Sequence, residues 1–169
     1  SATGIEMMTA LTGGSGNDVV LTVVVPTTVW VNDTWVVTND LAPAGLSYGD
    51  TVDSDTGIPG DVSVTGKVIG YNAFTTIQGG VDAVASSGTV NVIKGTYGED
   101  VVINKAINLI GLQGYANTTI VGTKGDASGN TVYVTSGGVL VQGFTITRDG
   151  NNVADWNDVK LNAAFKAGQ

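Results

Sequence analysis

The sequence predicts an all-β protein, in which a short parallel β-helix with one N-terminal capping helix follows an additional β-strand region. Three observations carry that expectation. Gly is frequent (25 of 169 residues) and charge is sparse (13 %), while β-branched Val and Thr abound, a mixture suited to strands joined by tight turns. From Thr89 to Thr147 apolar runs follow one another with breaks too short for helical crossovers. Finally, "INLIGLQG" and "VLVQGFTI" repeat one another, which sets Ile107/Val139, Leu109/Val141 and Gly111/Gly143 each 32 residues apart. Short strands that turn corners rather than reverse suit stacked coils, in which only neighbours touch. A compact sandwich fits the same pattern less well.

Taken in order, residues 1–16 (SATGIEMMTALTGGSG) are small, polar and Gly-rich and read as a flexible arm. Residues 17–70 form an N-terminal strand region. It holds two strand candidates, Val19–Val25 and Thr28–Val37, hinged at Pro26, and the alternation of Val29 and Val31 marks a half-buried strand. "LAPAGLSYGDTVDSDTGIPGD" reads as loop from its Pro, Gly and Asp content, and Val62–Ile69 as a short strand around Gly66. Residues 71–169 form the β-helix module. "FTTIQGGVDAVASSG" (74–88) is its helix, with Ile77, Val81 and Val84 at i, i+4 and i+7 as one apolar stripe. Thr75 and Gln78 stand at capping-box spacing, and Gly88 supplies the stop. Gly79 and Gly80 each weaken the helix by roughly 1 kcal/mol relative to Ala, so it must survive by packing. The strands expected after it are Thr89–Ile93, Asp100–Ile103, Ile107–Ile110, Thr118–Val121, Thr131–Val134, Val139–Val141 and Phe144–Thr147.

Composition excludes several function classes. Cysteine and histidine are both absent, which removes disulfides, thiolate and imidazole metal sites, Cys nucleophiles and His bases. The net charge of −8 lies wholly in the first 66 residues, which hold eight acids and no Lys or Arg. So acidic a chain is a poor nucleic-acid binder, because phosphate contacts need clustered cations. No stretch reaches the roughly 20 apolar residues that span a bilayer. With no signal peptide at Ser1, the chain reads as mature or as a cut piece.

"AFTTIQGGVDAV", "GTVNVIKGTYGEDVVINKAINLIG" and "TTIVG" resemble the opening of right-handed β-helix proteins of the pectin-lyase-like superfamily, and most of all the start of pectin methylesterases and of bacterial surface β-helices. The resemblance covers about residues 70–150. It implies that the F-x-T-I-Q helix caps the first coil of a right-handed stack and that Gly95, Tyr97 and Glu99 begin the climb. It does not carry the activity over. No Q-D-T-L or D-F-I-F-G stretch is present, and Arg148, the sole arginine, neighbours Asp149 with nothing to place it over a groove. The family pattern would continue into further coils.

Candidate sites are few. In "DTVDSDTGIPGD", Asp50, Asp53, Asp55 and Asp61 offer hard oxygen ligands for Ca2+, though the terminal Glu of a full calcium loop is missing; the other reading is a solvated loop of Asx turns. "RDGNNVADWND" places Asp149, Asn151, Asp155 and Asp158 around Trp156, a second loop suited to a glycan or a metal, or a turn whose Trp covers the last coil. Trp30 and Trp35 read as core or interface packing. Asn32 and Asn117 head N-x-T sequons. Glu99 and Asp100 are adjacent on one strand, so they face opposite ways and do not form an acid–base pair. "VVLTVVVP" is uncharged with high β-propensity. Its Val19, Val20, Leu21, Val23, Val24 and Val25 are candidates for an assembly strand donated to a neighbour, and the arm before them supplies the reach.

Together these features predict a non-catalytic extracellular or cell-surface module, structural or adhesive, that binds copies of itself by strand donation and coil stacking. The alternatives are the N-terminal fragment of a carbohydrate-active β-helix enzyme, and a glycan- or calcium-binding module. No membrane span and no nucleic-acid partner are expected.

Overall fold

The computed structural model describes residues 11–12, 19–20, 24–39, 45–55, 60, 62–123, 129–148 and 159–161. It is mostly β, with one helix and three parallel sheets. In chain order the N-terminal strands are β1 (Leu11–Thr12), β2 (Val19–Val20), β3 (Thr28–Val31), β4 (Val36–Asn39), β5 (Thr51–Asp53), β6 (Lys67–Val68) and β7 (Ala73–Phe74). Helix α1 (Ile77–Ala83) follows. Next come β8 (Thr89–Val92), β9 (Gly95–Gly98), β10 (Val101–Ile103), β11 (Asn108–Gly111) and β12 (Thr118–Gly122). The last strands are β13 (Val132–Val134), β14 (Leu140–Gln142), β15 (Thr145–Arg148) and β16 (Val159–Leu161).

From β8 onward the strands are dealt in rotation to three sheets, ordered β14-β11-β8-β3-β7, β15-β12-β9 and β10-β13-β16. Every pairing within them is parallel, which removes the antiparallel sandwich reading. The repeat legible in the sequence is the register itself, since Leu109 pairs with Val141. Inward side chains form ladders. Val29, Val90, Leu109 and Val141 lie in register in one sheet, and Tyr97, Ile120 and Ile146 in another. Val29, Val90, Leu109 and Ile120 are completely buried.

The N-terminal region joins this stack. β3 lies between β7 and β8 in the first sheet, so the sheet runs across residue 70. The strand expected over Thr28–Val37 is broken in two. The Asn32 Oδ1 accepts from the Thr34 N–H (3.2 Å) and hydroxyl (3.0 Å), making a turn that ends β3 and starts β4 on another course. The loop expected after residue 40 contains a strand, because Val52 is completely buried and pairs with both Val37 and Lys67 in the antiparallel sheet β4-β5-β6. Flanking aspartates hid that strand from a reading by composition. Between Val62 and Ile69 only β6 is strand. A second, smaller core collects Trp35, Val52, Val64, Ala73 and Ile93. Trp35 is buried there and donates from Nε1 to the Phe74 carbonyl at 2.9 Å; Trp30 is half-buried, with Lys67 Nζ 5.6 Å from its ring centre.

The helix is shorter than expected, and its caps differ. Thr76, not Thr75, is the N-cap, accepting from the Gly79 N–H at 3.1 Å, and the chain leaves the helix at Val84 rather than at Gly88. Gly80 is present for close approach. A methyl there would come within 2.9 Å of Val31 Cγ2 and 3.1 Å of Val90 Cγ1, so α1 lies almost directly on β3 and β8. The roughly 1 kcal/mol that Gly costs a helix is offset by burial of Ile77, Val81 and Val84 against the ladders.

Candidate functional site

The two ends of the parallel stack differ, and that difference is the main functional feature of the described residues. At the first rung α1 covers the apolar ladders, while β9, the end strand of its sheet, has no described strand beyond it. α1 packs on β3, β7, β8 and β10. Gln78 closes the outer edge of β10 as another strand would: its Oε1 accepts from the Val102 N–H at 2.7 Å, and its Nε2 donates to the Val102 carbonyl at 3.3 Å. The same Nε2 donates to Asp82 Oδ1 at 2.8 Å.

Two charged residues fix the helix above that rung. The Glu99 carboxylate accepts from the Ile77 N–H (2.7 Å) and the Gln78 N–H (2.8 Å), satisfying donors that the first turn cannot pair internally. This is why Gln78 does not fold back into a capping box, as its spacing predicts. Lys105 Nζ donates to the Asp82 carbonyl at 3.0 Å and to the Val84 carbonyl. Burial pushes the Glu99 carboxyl upward in pKa, and the two N–H donors oppose it. Burial pushes Lys105 downward, opposed by the nearby Asp82 carboxylate.

At the last rung the ladders run out of cover. Val139, Val141, Phe144 and Ile146 are only half-buried, and Leu140 is 45 % exposed, whereas Leu109 and Ile120 one rung earlier are fully buried. No described residue pairs with the outer edges of β14 and β15. The exposed side chains of β14 and β15 are Leu140, Gln142 and Thr145, which alternate along the strands with the inward Val141 and Ile146. Arg148, which ends β15, is buried. It pairs with Asp100 at 3.2 Å and donates to the Thr123 carbonyl, tying the last rung to the first.

The candidate acidic loop is spent locally. Asp50 is completely buried and its Oδ2 accepts from the Ser47 N–H at 2.7 Å, while Asp53 Oδ1 accepts from the Gly66 N–H at 2.7 Å. Asp55 is half-exposed and Asp61 lies outside the described residues. Among the described residues no three acidic side chains converge as a metal would require. Asp149, Asn151, Asp155, Trp156 and Asp158 all lie outside the described residues. Of the candidate assembly strand, Val19 and Val20 pair antiparallel with Thr12 and Leu11 of the same chain, Val24 and Val25 are 39 % and 49 % exposed, and Leu21 and Val23 lie outside the described residues. Glu99 and Asp100, as their adjacency predicted, serve different partners. A cleft of about 250 Å3 beside α1, lined by Leu46, Tyr48, Ile69, Phe74, Thr75 and Thr76, has no counterpart in the sequence reading and presents neither a carboxylate nor a cation. Among the described residues no helix is long and apolar enough to cross a membrane.

Comparison with protein-family models, with curated proteins and with solved structures gives no match, so the likeness of residues 70–150 to the pectin-lyase-like superfamily stands on the quoted motifs alone.

Proposed function

We propose that this chain is a non-catalytic structural module, a short parallel β-helix closed at its first rung and built to receive a further rung at its last. The rotation of β8 to β16 through three parallel sheets supports the β-helix reading. The observation that carries the function is the loss of cover along single ladders: fully buried Val90 and Leu109 lead to half-buried Val141, beside Leu140 at 45 % exposure. Two strand edges with an apolar ladder between them are best filled by more β-structure of the same kind, because that pairs the backbone and buries the side chains together. A second copy brings such a face. The described side chains of β14 and β15 place no exposed charge at these edges.

A structural role rather than a catalytic one is favoured by how the carboxylates are used: Glu99 anchors α1, Asp100 pairs with Arg148, Asp50 and Asp53 accept from backbone N–H groups, and Asp82 accepts from Gln78. The setting that suits such a module is extracellular, where a 66-residue stretch without Lys or Arg gives trypsin-like proteases nothing to cut.

The test is sedimentation equilibrium over a hundredfold range of concentration. The expected result is a mass that rises with concentration for the native chain and falls back to that of one chain for Val141→Asp with Leu140→Lys. A native chain that stays monomeric throughout overturns the association.

A further inference from the structure

The two N-x-T sequons, which the structural role does not use, have opposite surroundings. Asn32 is completely buried, and its Oδ1 is held by the N–H and hydroxyl of its own Thr34. An oligosaccharide on that side chain has no route to solvent without unfolding β3 and β4. Asn117 is exposed, in the turn Tyr115–Asn117 that leads into β12. That turn is firmly set. The Asn117 N–H donates to the Gly114 carbonyl at 3.0 Å, the Asn117 carbonyl accepts from the Gly95 N–H at 3.1 Å, and the Tyr115 carbonyl accepts from the Thr145 hydroxyl at 2.8 Å. Two residues before Asn117 stands Tyr115, 71 % exposed, which exceeds every other large hydrophobic side chain described.

We propose that Asn117 is an acceptor for an N-linked oligosaccharide and that the Tyr115 ring forms the platform on which its first sugar rests. The donor required is a lipid-linked oligosaccharide phosphate. The bond from the anomeric carbon to the phosphate oxygen breaks, the lipid (pyro)phosphate leaves with the bonding electron pair, and a bond forms from that carbon to Asn117 Nδ2. One Nδ2 proton passes to a base of the transferring enzyme. Asn117 Nδ2 now donates to the Gln113 carbonyl at 2.9 Å. The secondary amide keeps one N–H, and the backbone bonds that set the turn do not involve this side chain. A sugar ring presents C–H groups on one face, and an aromatic ring already exposed and held two residues away gives them a negative π-face to lie on. This also gives Tyr115 a role, since so exposed an aromatic gains little from its own fold.

The test is peptide mass mapping of the protein isolated from its own cells, with trypsin releasing residues 106–124 (Asn117) and the peptide that ends at Lys67 (Asn32). The expected result is glycan mass on the first peptide, removed by an amidase that cleaves N-linked sugars, and none on the second. An unmodified Asn117 overturns the proposal, as does glycan on Asn32 in folded material. The platform is tested separately by Tyr115→Ala in the same cells. Asn117 occupancy, or the thermal stability gained over enzymatically deglycosylated protein, is expected to fall at least twofold. If neither changes, the ring is not the platform. Both readouts are independent of the oligomeric state, so they stand apart from the stacking proposal.

Discussion

The Glu99 carboxylate and the Lys105 ammonium, placed on either side of β10, hold opposite ends of α1: one takes the free N–H groups of its first turn, the other the free carbonyls of its last. An anion at the N-terminus and a cation at the C-terminus also match the helix dipole. A helix this short, with two central glycines, has little stability of its own, so the residues flanking β10 hold it by both ends.

Glu99→Gln should destabilise the fold by about 1–3 kcal/mol, because the amide offers one acceptor oxygen where the carboxylate offers two and one buried N–H is left without a partner. The pH dependence follows from the raised folded pKa of Glu99. A carboxyl raised on folding contributes stability that is fully present below its ordinary value and is lost as pH rises through the folded value. Urea midpoints for native chain and variant, measured between about pH 4 and pH 7, should therefore show this part of the slope in the native chain only.

Gly111 and Gly143 stack backbone to backbone: a methyl on either overlaps the carbonyl of the other, and Gly143 has a φ of +84°. Gly143→Ala should cost about 2–3 kcal/mol from overlap and backbone strain together. Gly137→Ala, where an added methyl meets nothing within 4 Å, should stay within about 0.5 kcal/mol of the native chain. Denaturant unfolding of the pair checks this.

Arg148→Met removes the buried guanidinium that pairs with Asp100 and donates to the Thr123 carbonyl, for an expected loss of about 3–5 kcal/mol. Because Asp100 precedes β10 and Arg148 ends β15, unfolding should be reported together by probes on the first and last rungs in the native chain, and separately in the variant.

Val90→Ala and Val141→Ala remove the same two methyl groups from one ladder. In dilute solution the first should cost about 2 kcal/mol and the second less than about 1, as half-buried Val141 has less to lose. If copies stack, the cost of Val141→Ala should grow with protein concentration, which chemical denaturation at several concentrations reads directly.

What the sequence determined by itself was the repeat and most of its strands, though not β9 or β16 and not the caps of α1. Strands of three to five residues, the 32-residue echo of Leu109 in Val141, the apolar stripe of Ile77, Val81 and Val84, and the divergence of Glu99 from Asp100 all follow from periodicity and side-chain alternation, which a chain carries residue by residue. What only the tertiary structure decided were the long-range partnerships. Val52 became strand because Val37 and Lys67 lie on either side of it, and Asp50 and Asp53 were drawn to nearby backbone donors. Gln78 served β10 because Glu99 had already taken the helix N–H groups, and Asn32 and Asn117, alike as motifs, parted into core and surface. The reason is physical: a polar group takes whichever partner the fold brings within about 3 Å, and that depends on chain tens of residues away.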